Sequence, residues 1–316
     1  MVDAADSKSA ALKSVRVRVP PPVPVDGPHL RAVAVLAACS TLRVRCRRYH
    51  AAMCLIALAW NARPGLPLAL IANRDEFHAR PAAPAGFDPD APDVYGGRDL
   101  VQGGSWLQAS ARRRLAAVTN VRAGLAPDGA PRSRGWLVRD FVRGEMSAEA
   151  FAHGLSRTAS EYGWFNLLLW DGDALWFASN HPAYAAAPVA PGLHAMSNGA
   201  FDAPWPKSTG ATATLQHWLD ATADDPAPAL MDAAKLAPLF AGLRDTQAAP
   251  DGALPDTGVG LALERRLSPA FILDATYGTR CSSVVLADAD GLCFNERRFD
   301  AEGLPAGMSR NHLAFA

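Results

Sequence analysis

The sequence predicts an α+β protein whose antiparallel sheets are covered by helices. Three observations carry that expectation. Short apolar runs occur in blocks joined by turn residues, helical segments come in pairs between the blocks, and no regular strand–helix alternation runs along the chain. With 316 residues, 49% apolar and 20% charged, the chain can bury the core of one large domain or two smaller ones.

The elements follow in order from residue 54. Residues 54–60 and 66–72 are apolar runs joined by Asn61-Ala62-Arg63-Pro64-Gly65, a strand–turn–strand pattern. Gly96-Gly97 and Gly103-Gly104 bracket a hairpin, and residues 115–118 read as a strand ending in Thr119-Asn120-Val121-Arg122. A helix over 136–142 comes next, then another opened by Ser147 as N-cap with Glu149 in its first turn. Strands return at 164–170 and 174–178 around Asp171-Gly172, a hairpin turn, and at 193–196 before Ser197-Asn198-Gly199. Helices are expected over 212–221 and from Ala229. Pro238 should end or kink the second, leaving 239–243 as a separate turn. Residues 282–286 and 292–294 form a last hairpin around Asp290-Gly291.

Residues 1–52 differ in kind from this body. They carry nine Lys/Arg against three Asp, a net of +6, which leaves −6 for residues 53–316 within a neutral total. The run Pro20-Pro21-Pro22-Val23-Pro24 disfavours helix, the cluster from Arg43 to Arg48 is basic, and no face could join a core. Residues 1–52 are therefore expected to be a disordered or non-native extension, with Met53 as the working start of a domain over 53–316. Two other readings are a lipoprotein cleavage box at Leu36-Ala37-Ala38-Cys39 and an Arg-rich targeting arm. Removal of Met53, or cleavage after it, would leave Cys54 as the first residue.

The neutral total suggests no nucleic-acid partner, and no apolar run nears the roughly 20 residues of a membrane span. Five scattered cysteines without C-x-x-C or metal-ligand spacing suit a reducing, cytoplasmic setting and call for no cofactor or metal. Dinucleotide, phosphate-loop, serine-elbow and zinc-protease motifs are not found.

Asn73-Arg74-Asp75-Glu76 closes the second strand, beside the one that bears Cys54. An N-terminal cysteine holds nucleophile and base on one residue, because its α-amine, with a pKa of roughly 7.7–8.0, can take the thiol proton near neutral pH. Such a residue needs a carboxylate to orient the amine, a cation to favour the thiolate and neutral donors for the oxyanion. Asp75, Arg74, Asn120 and Asn198 are candidates for these roles, and Arg280 could clamp an anionic group. Side-chain alternation lets only one of Arg74 and Asp75 face Cys54 unless the strand bends. Each residue also has a plainer reading. Cys54 could be a small core residue, the Asn-Arg-Asp-Glu run a turn, and Arg280 a partner of Asp274 or Glu296.

Several motifs then fall in order: Met53-Cys54-Leu55-Ile56, Asn73-Arg74-Asp75-Glu76, Gly103-Gly104-Ser105-Trp106, Thr119-Asn120-Val121-Arg122, Phe165-Asn166-Leu167-Leu168, Ser197-Asn198-Gly199, Pro204-Trp205-Pro206-Lys207 and Gly278-Thr279-Arg280-Cys281-Ser282. From Met53 onward the chain resembles the NRDE family, also called the transport-and-Golgi-organisation-2 family. The resemblance implies an N-terminal-nucleophile hydrolase fold, a four-layer αββα sandwich, with choloylglycine hydrolases and penicillin V acylases as mechanistic analogues. It further implies Cys54 as nucleophile, Asp75 orienting the amine, Arg74 and Arg280 as electrostatic partners, and Asn120 and Asn198 as oxyanion or positioning groups. Cys281 stands where serine is more usual. Two functions follow from it: hydrolysis of a linear C–N amide bond in a small molecule, or, since some members are linked to Golgi organisation and to haem movement, carriage of haem or an acyl lipid in the same cleft.

Overall fold

The computed structural model describes residues 53–124 and 129–316; the expectations for residues 1–52, with Cys39 and Cys46, lie outside it. In chain order the elements are β1 (Met53–Arg63), β2 (Leu66–Phe77), β3 (Ala82–Asp88), β4 (Ala91–Asp99), β5 (Leu107–Ser110), β6 (Arg114–Asn120), α1 (Gly135–Arg143), α2 (Ala148–Leu155), β7 (Phe165–Trp170), β8 (Leu175–Ser179), β9 (Ala185–Pro188), β10 (Gly192–Met196), α3 (Pro206–Ala221), α4 (Ala233–Gly242), α5 (Leu261–Leu267), β11 (Tyr277–Ala287), β12 (Gly291–Phe299) and β13 (Pro305–Ala314). All the strand pairings are antiparallel. One sheet runs β10-β1-β2-β11-β12-β13 and the other β3-β4-β5-β6-β7-β8-β9.

Side-chain alternation sorts these strands into three cores. Ile56, Leu58, Leu68 and Leu70 of the first sheet meet Leu107, Leu115, Leu168 and Trp170 of the second between the sheets. The alternate residues Leu55, Ala57, Ala69 and Ile71 meet Leu215 and Trp218 of α3 and Leu236 and Phe240 of α4. On the far side, Ala116, Leu167 and Leu169 pack under Leu137 and Phe141 of α1 and Ala152 of α2. The layers are thus helix, sheet, sheet, helix, and the four-layer expectation holds. Strands buried on both faces read as continuous apolar runs, which is why β1 and β2 stood out in the sequence without alternating.

Two helix expectations are corrected. Helix α3 starts at Pro206, six residues before the expected 212, because proline is well tolerated in a first turn where the N–H has no partner in any case. Pro238 neither ends nor separates α4, which runs through it to Gly242. The lost hydrogen bond to Ala234 is offset by burial of Leu236, Leu239 and Phe240 against the sheet, at roughly 1.5–3 kcal/mol per side chain. The expected cap at Ser147 is present, its Oγ accepting from Ala150 N at 3.1 Å. Among the described residues no helix is long and apolar enough to cross a membrane.

Candidate active site

Register decides how the candidate residues meet. Cys54, the second residue of β1, lies directly opposite Arg74, while Met53 stands opposite Asp75. On the other side of β2, Arg74 faces Cys281 and Asp75 faces Thr279. Strand β2 stays extended as far as Phe77, so Arg74 and Asp75 point to opposite faces. Arg74 shares the inter-sheet face with Cys54, and both line a narrow crevice with Trp106, Leu107 and Val118. Asp75 lies on the helix-covered face with Asn73. Cys54 thus lies between two charged neighbours on opposite faces of β2, and its thiol feels both, Asp75 more strongly than Arg74.

Asn73 is structural. Its Nδ2 donates to Leu243 O at 2.8 Å and Ala270 O at 2.7 Å, and its Oδ1 accepts from Ser282 Oγ at 2.6 Å. This ties the end of β2 to the segments around α4 and α5. Asp75 is fully buried; one oxygen accepts from Thr279 Oγ1 at 2.6 Å, and the other, Oδ2, has no partner. Burial lifts its pKa from the ordinary 3.8 to about 6, against the pull of Lys207, Thr279 and Arg74. Lys207, in the first turn of α3, is likewise buried, which lowers its pKa to about 8 although Asp75 favours its charge. Its Nζ makes one long hydrogen bond, 3.4 Å to Leu267 O.

The thiol is held protonated. Burial, then Asp75, push the Cys54 pKa up to about 12, with Arg74 and the Asp75 backbone N–H acting the other way. Arg74 is itself fixed, its guanidinium 4.3 Å over the Trp106 ring and 3.6 Å from Glu76, with Nη1 unpartnered. Trp106 is seated against Gly97, where a Cβ would come within 2.0 Å of the ring. Arg134, at the start of α1, is a further electrostatic neighbour of Cys54; its Nε donates to Trp164 O at 2.8 Å, and burial brings its pKa down to about 10.

Asn120 and Asn198 converge. Asn198 Nδ2 donates to Asn120 O at 2.9 Å and to Asn120 Oδ1 at 3.0 Å, while Ser197 Oγ donates to the Cys54 carbonyl at 3.1 Å. The two asparagines thus sit one serine away from the Cys54 backbone. Asn198 is committed to bracing β6 against β10, whereas the amide nitrogen of Asn120 donates to none of the described residues. Arg280 is a neighbour of Arg74 in a second cavity but does not line the Cys54 crevice. It pairs with neither Asp274, which Arg266 holds, nor Glu296, which Arg298 holds. Its Nη1 instead gathers the carbonyls of Phe77 at 2.9 Å, His78 at 3.1 Å and Arg80 at 3.3 Å.

The residues that sequence reasoning left without a role are Lys207, Thr279, Ser197 and Arg134. Lys207 and Thr279 were visible only as members of ordered motifs, Pro204-Trp205-Pro206-Lys207 and Gly278-Thr279-Arg280-Cys281-Ser282. Among the described residues no cluster of three or more His, Cys, Asp or Glu could hold a metal ion.

Residues 53–301 match the family described as Transport and Golgi organisation 2. The chain belongs to that family. It is 32% identical over 265 residues to the Transport and Golgi organization protein 2 homolog of Bos taurus, covering 78% of this chain and 92% of the relative. The Homo sapiens homolog is 32% identical over 264 residues with the same coverage. Solved structures similar to this chain include a variant of the conjugated bile acid hydrolase from Clostridium perfringens, 7% identical with a TM-score of 0.45, covering 82% of this chain and 92% of that one. The family match begins at Met53, the residue immediately ahead of the cysteine on which the site is centred.

Proposed function

We propose that this family member hydrolyses a linear C–N amide bond with Cys54 as nucleophile, once Cys54 carries a free α-amine. Initiation at Met53 followed by methionine removal, or cleavage of the 53–54 bond, supplies that amine. The observation that carries the reading is the buried carboxylate of Asp75, with one oxygen unpartnered, at the strand position of the Met53–Cys54 peptide.

The chemistry follows from the two faces. The amine, oriented by Asp75 and Thr279, takes the proton from the thiol. Arg74 on the opposite face favours the resulting thiolate. The sulfur attacks the amide carbon, and Asn120 Nδ2 stabilises the oxyanion. The ammonium returns its proton to the departing nitrogen as the C–N bond breaks, leaving an acyl thioester. Water, deprotonated by the same amine, then releases the acid and restores the thiol. In the uncut chain the amine is an amide and cannot act as a base, so that form is inert.

Haem or acyl-lipid carriage draws less support. The cavity beside this site lined by Arg74, Trp106 and Arg280 holds about 150 Å³, below the ~300–1,000 Å³ of typical ligand pockets. The test compares chains starting at Met1 and at Cys54 with a panel of N-acyl amides, following amine release and the mass of an acyl adduct on Cys54. The chain starting at Cys54 should show both, and Cys54→Ser neither. If that chain forms no adduct and releases no amine, while haem titration gives a saturable Soret shift, carriage replaces hydrolysis.

A further inference from the structure

Lysine is seldom buried without a charged partner, yet Lys207 is only 6% exposed and the hydrolysis above leaves it unused. Packing shows where it points. Lys207, Ala211 and Leu215 recur every fourth residue on α3, and the latter two share a core with Leu55 and Ala57 of β1. The far ends of helix and strand are tied together, Arg63 Nη1 donating to Thr222 Oγ1 at 3.1 Å. From Thr222 back to Lys207 the helix spans ~22 Å, the length of about seven strand residues, which brings Lys207 over the start of β1. Trp205 fixes this end of α3, its ring seated over Gly199, where a Cβ would come within 2.5 Å of it. Lys207 Nζ donates to Leu267 O at 3.4 Å, and Leu267 packs with Ile272, whose N–H donates to the same Thr279 hydroxyl that serves Asp75.

Four charged side chains meet here from four segments: Asp75 on β2, Arg122 after β6, Lys207 on α3 and Glu264 on α5, with Tyr277 beside Arg122. Two positive and two negative charges cancel. Arg122 takes Glu264 at 2.6 Å, which leaves Lys207 as the counter-charge of Asp75. Arg74, Glu76 and Arg134 are the other charges around Cys54. An ammonium on residue 54 would bring surplus positive charge into this buried, balanced cluster, whereas a neutral amine leaves it balanced. Without Lys207 the ammonium itself would balance Asp75, and an amine held protonated takes no proton from a thiol.

We propose that Lys207 is a positioning residue for the hydrolysis, the standing counter-ion of Asp75 that keeps the freed α-amine of Cys54 neutral and able to act as the base, a role that rests on Cys54 being the processed first residue. Lys207 acts through Asp75 and the amine and touches neither substrate nor sulfur. Its own pKa of about 8 leaves most of it charged at pH 7.

The test uses the chain starting at residue 54 with Cys54→Ser, which keeps the amine and removes the thiol, and follows the ¹³Cα shift of residue 54 against pH. Lys207→Met, or Lys207→Gln should the apolar tip disturb the fold, removes the charge and should raise the amine midpoint by about one pH unit, tenfold in proton affinity. Asp75→Asn should lower it. Loosening of the fold would carry both midpoints the same way, toward the roughly 7.7–8.0 of an exposed amine, so opposite shifts mark the electrostatic role. In the chain starting at Cys54, Lys207→Met should move the acidic limb of Cys54 alkylation upward by the same amount. An unmoved midpoint in the Lys207 variants, or shifts of one sign in the Lys207 and Asp75 variants, overturns the proposal. Opposite shifts in a chain that cleaves no amide would remove hydrolysis and leave the control of the amine by Lys207 standing.

Discussion

Freeing Cys54 should change the chemistry of its sulfur more than any single side-chain replacement. In the uncut chain Cys54 is 7% exposed and burial pushes its thiol pKa up to about 12, so at pH 7 about one molecule in 10⁵ carries the thiolate. Removing residues 1–53 makes Cys54 the first residue of β1 and sets an amine beside the sulfur. If the pKa falls only to an ordinary value of about 8.5, the thiolate fraction rises to roughly 3 in 100, about 3,000-fold. A less basic thiolate is also a weaker nucleophile, and a Brønsted slope of about 0.45 over the same change takes back roughly 40-fold. Alkylation by iodoacetamide should therefore quicken by about a hundredfold. Intact mass and peptide mapping read the rate, with the buried Cys281 and Cys293 as internal references in both chains. Equal rates at Cys54 in the two chains, or modification of Cys281 ahead of Cys54, would refute the arrangement of thiol, amine and Asp75 derived above.

Three further outcomes are expected. Asp75 has a folded pKa of about 6 against 3.8 when exposed, so its contribution to stability is full below about pH 3.8 and is lost as pH rises through about 6. Urea midpoints should fall across that window, and Asp75→Asn should remove that part of the fall. Thr279→Val strips the hydroxyl that donates to Asp75 and accepts from Ile272 N at 2.9 Å, and should cost about 1–3 kcal/mol in denaturant titration. Gly97→Ala puts a methyl into the Trp106 ring and should cost about 1–3 kcal/mol while unseating Arg74, visible as altered tryptophan emission and weaker Cys54 reactivity in the chain starting at that residue.

Legibility varied with burial. Strands β1, β2 and β7 announced themselves because both faces are covered along the apolar runs 54–60, 66–72 and 165–170. Strand β3, with Pro84 and Gly86, and β13, an edge strand with mostly exposed residues, carry no such signal; pairing with β4 and β12 makes them strands. Helix α5 is seven residues long, too short for a periodic pattern to emerge. Likewise, the site's motifs could be read off as strand ends, whereas Lys207 was given no role, lying ahead of the helix expected from residue 212 that in fact begins at Pro206.

The sequence alone determined that antiparallel sheets are covered by helices, which strand carries Cys54 and that an Arg-Asp pair lies on the neighbouring strand, since these depend on local apolar runs and the period of two; the four-layer order was an expectation from the family resemblance. Tertiary structure alone decided that Arg74 shares the inter-sheet face with Cys54 while Asp75 lies on the helix-covered face, that the amide nitrogen of Asn120, unlike that of Asn198, donates to none of the described residues, and that Arg280 lines a cavity beside Arg74 and not the Cys54 crevice. Those outcomes depend on register between strands far apart in the chain and on which hydrogen-bonding atoms remain unclaimed after packing, and neither quantity exists until the sheets have closed on each other.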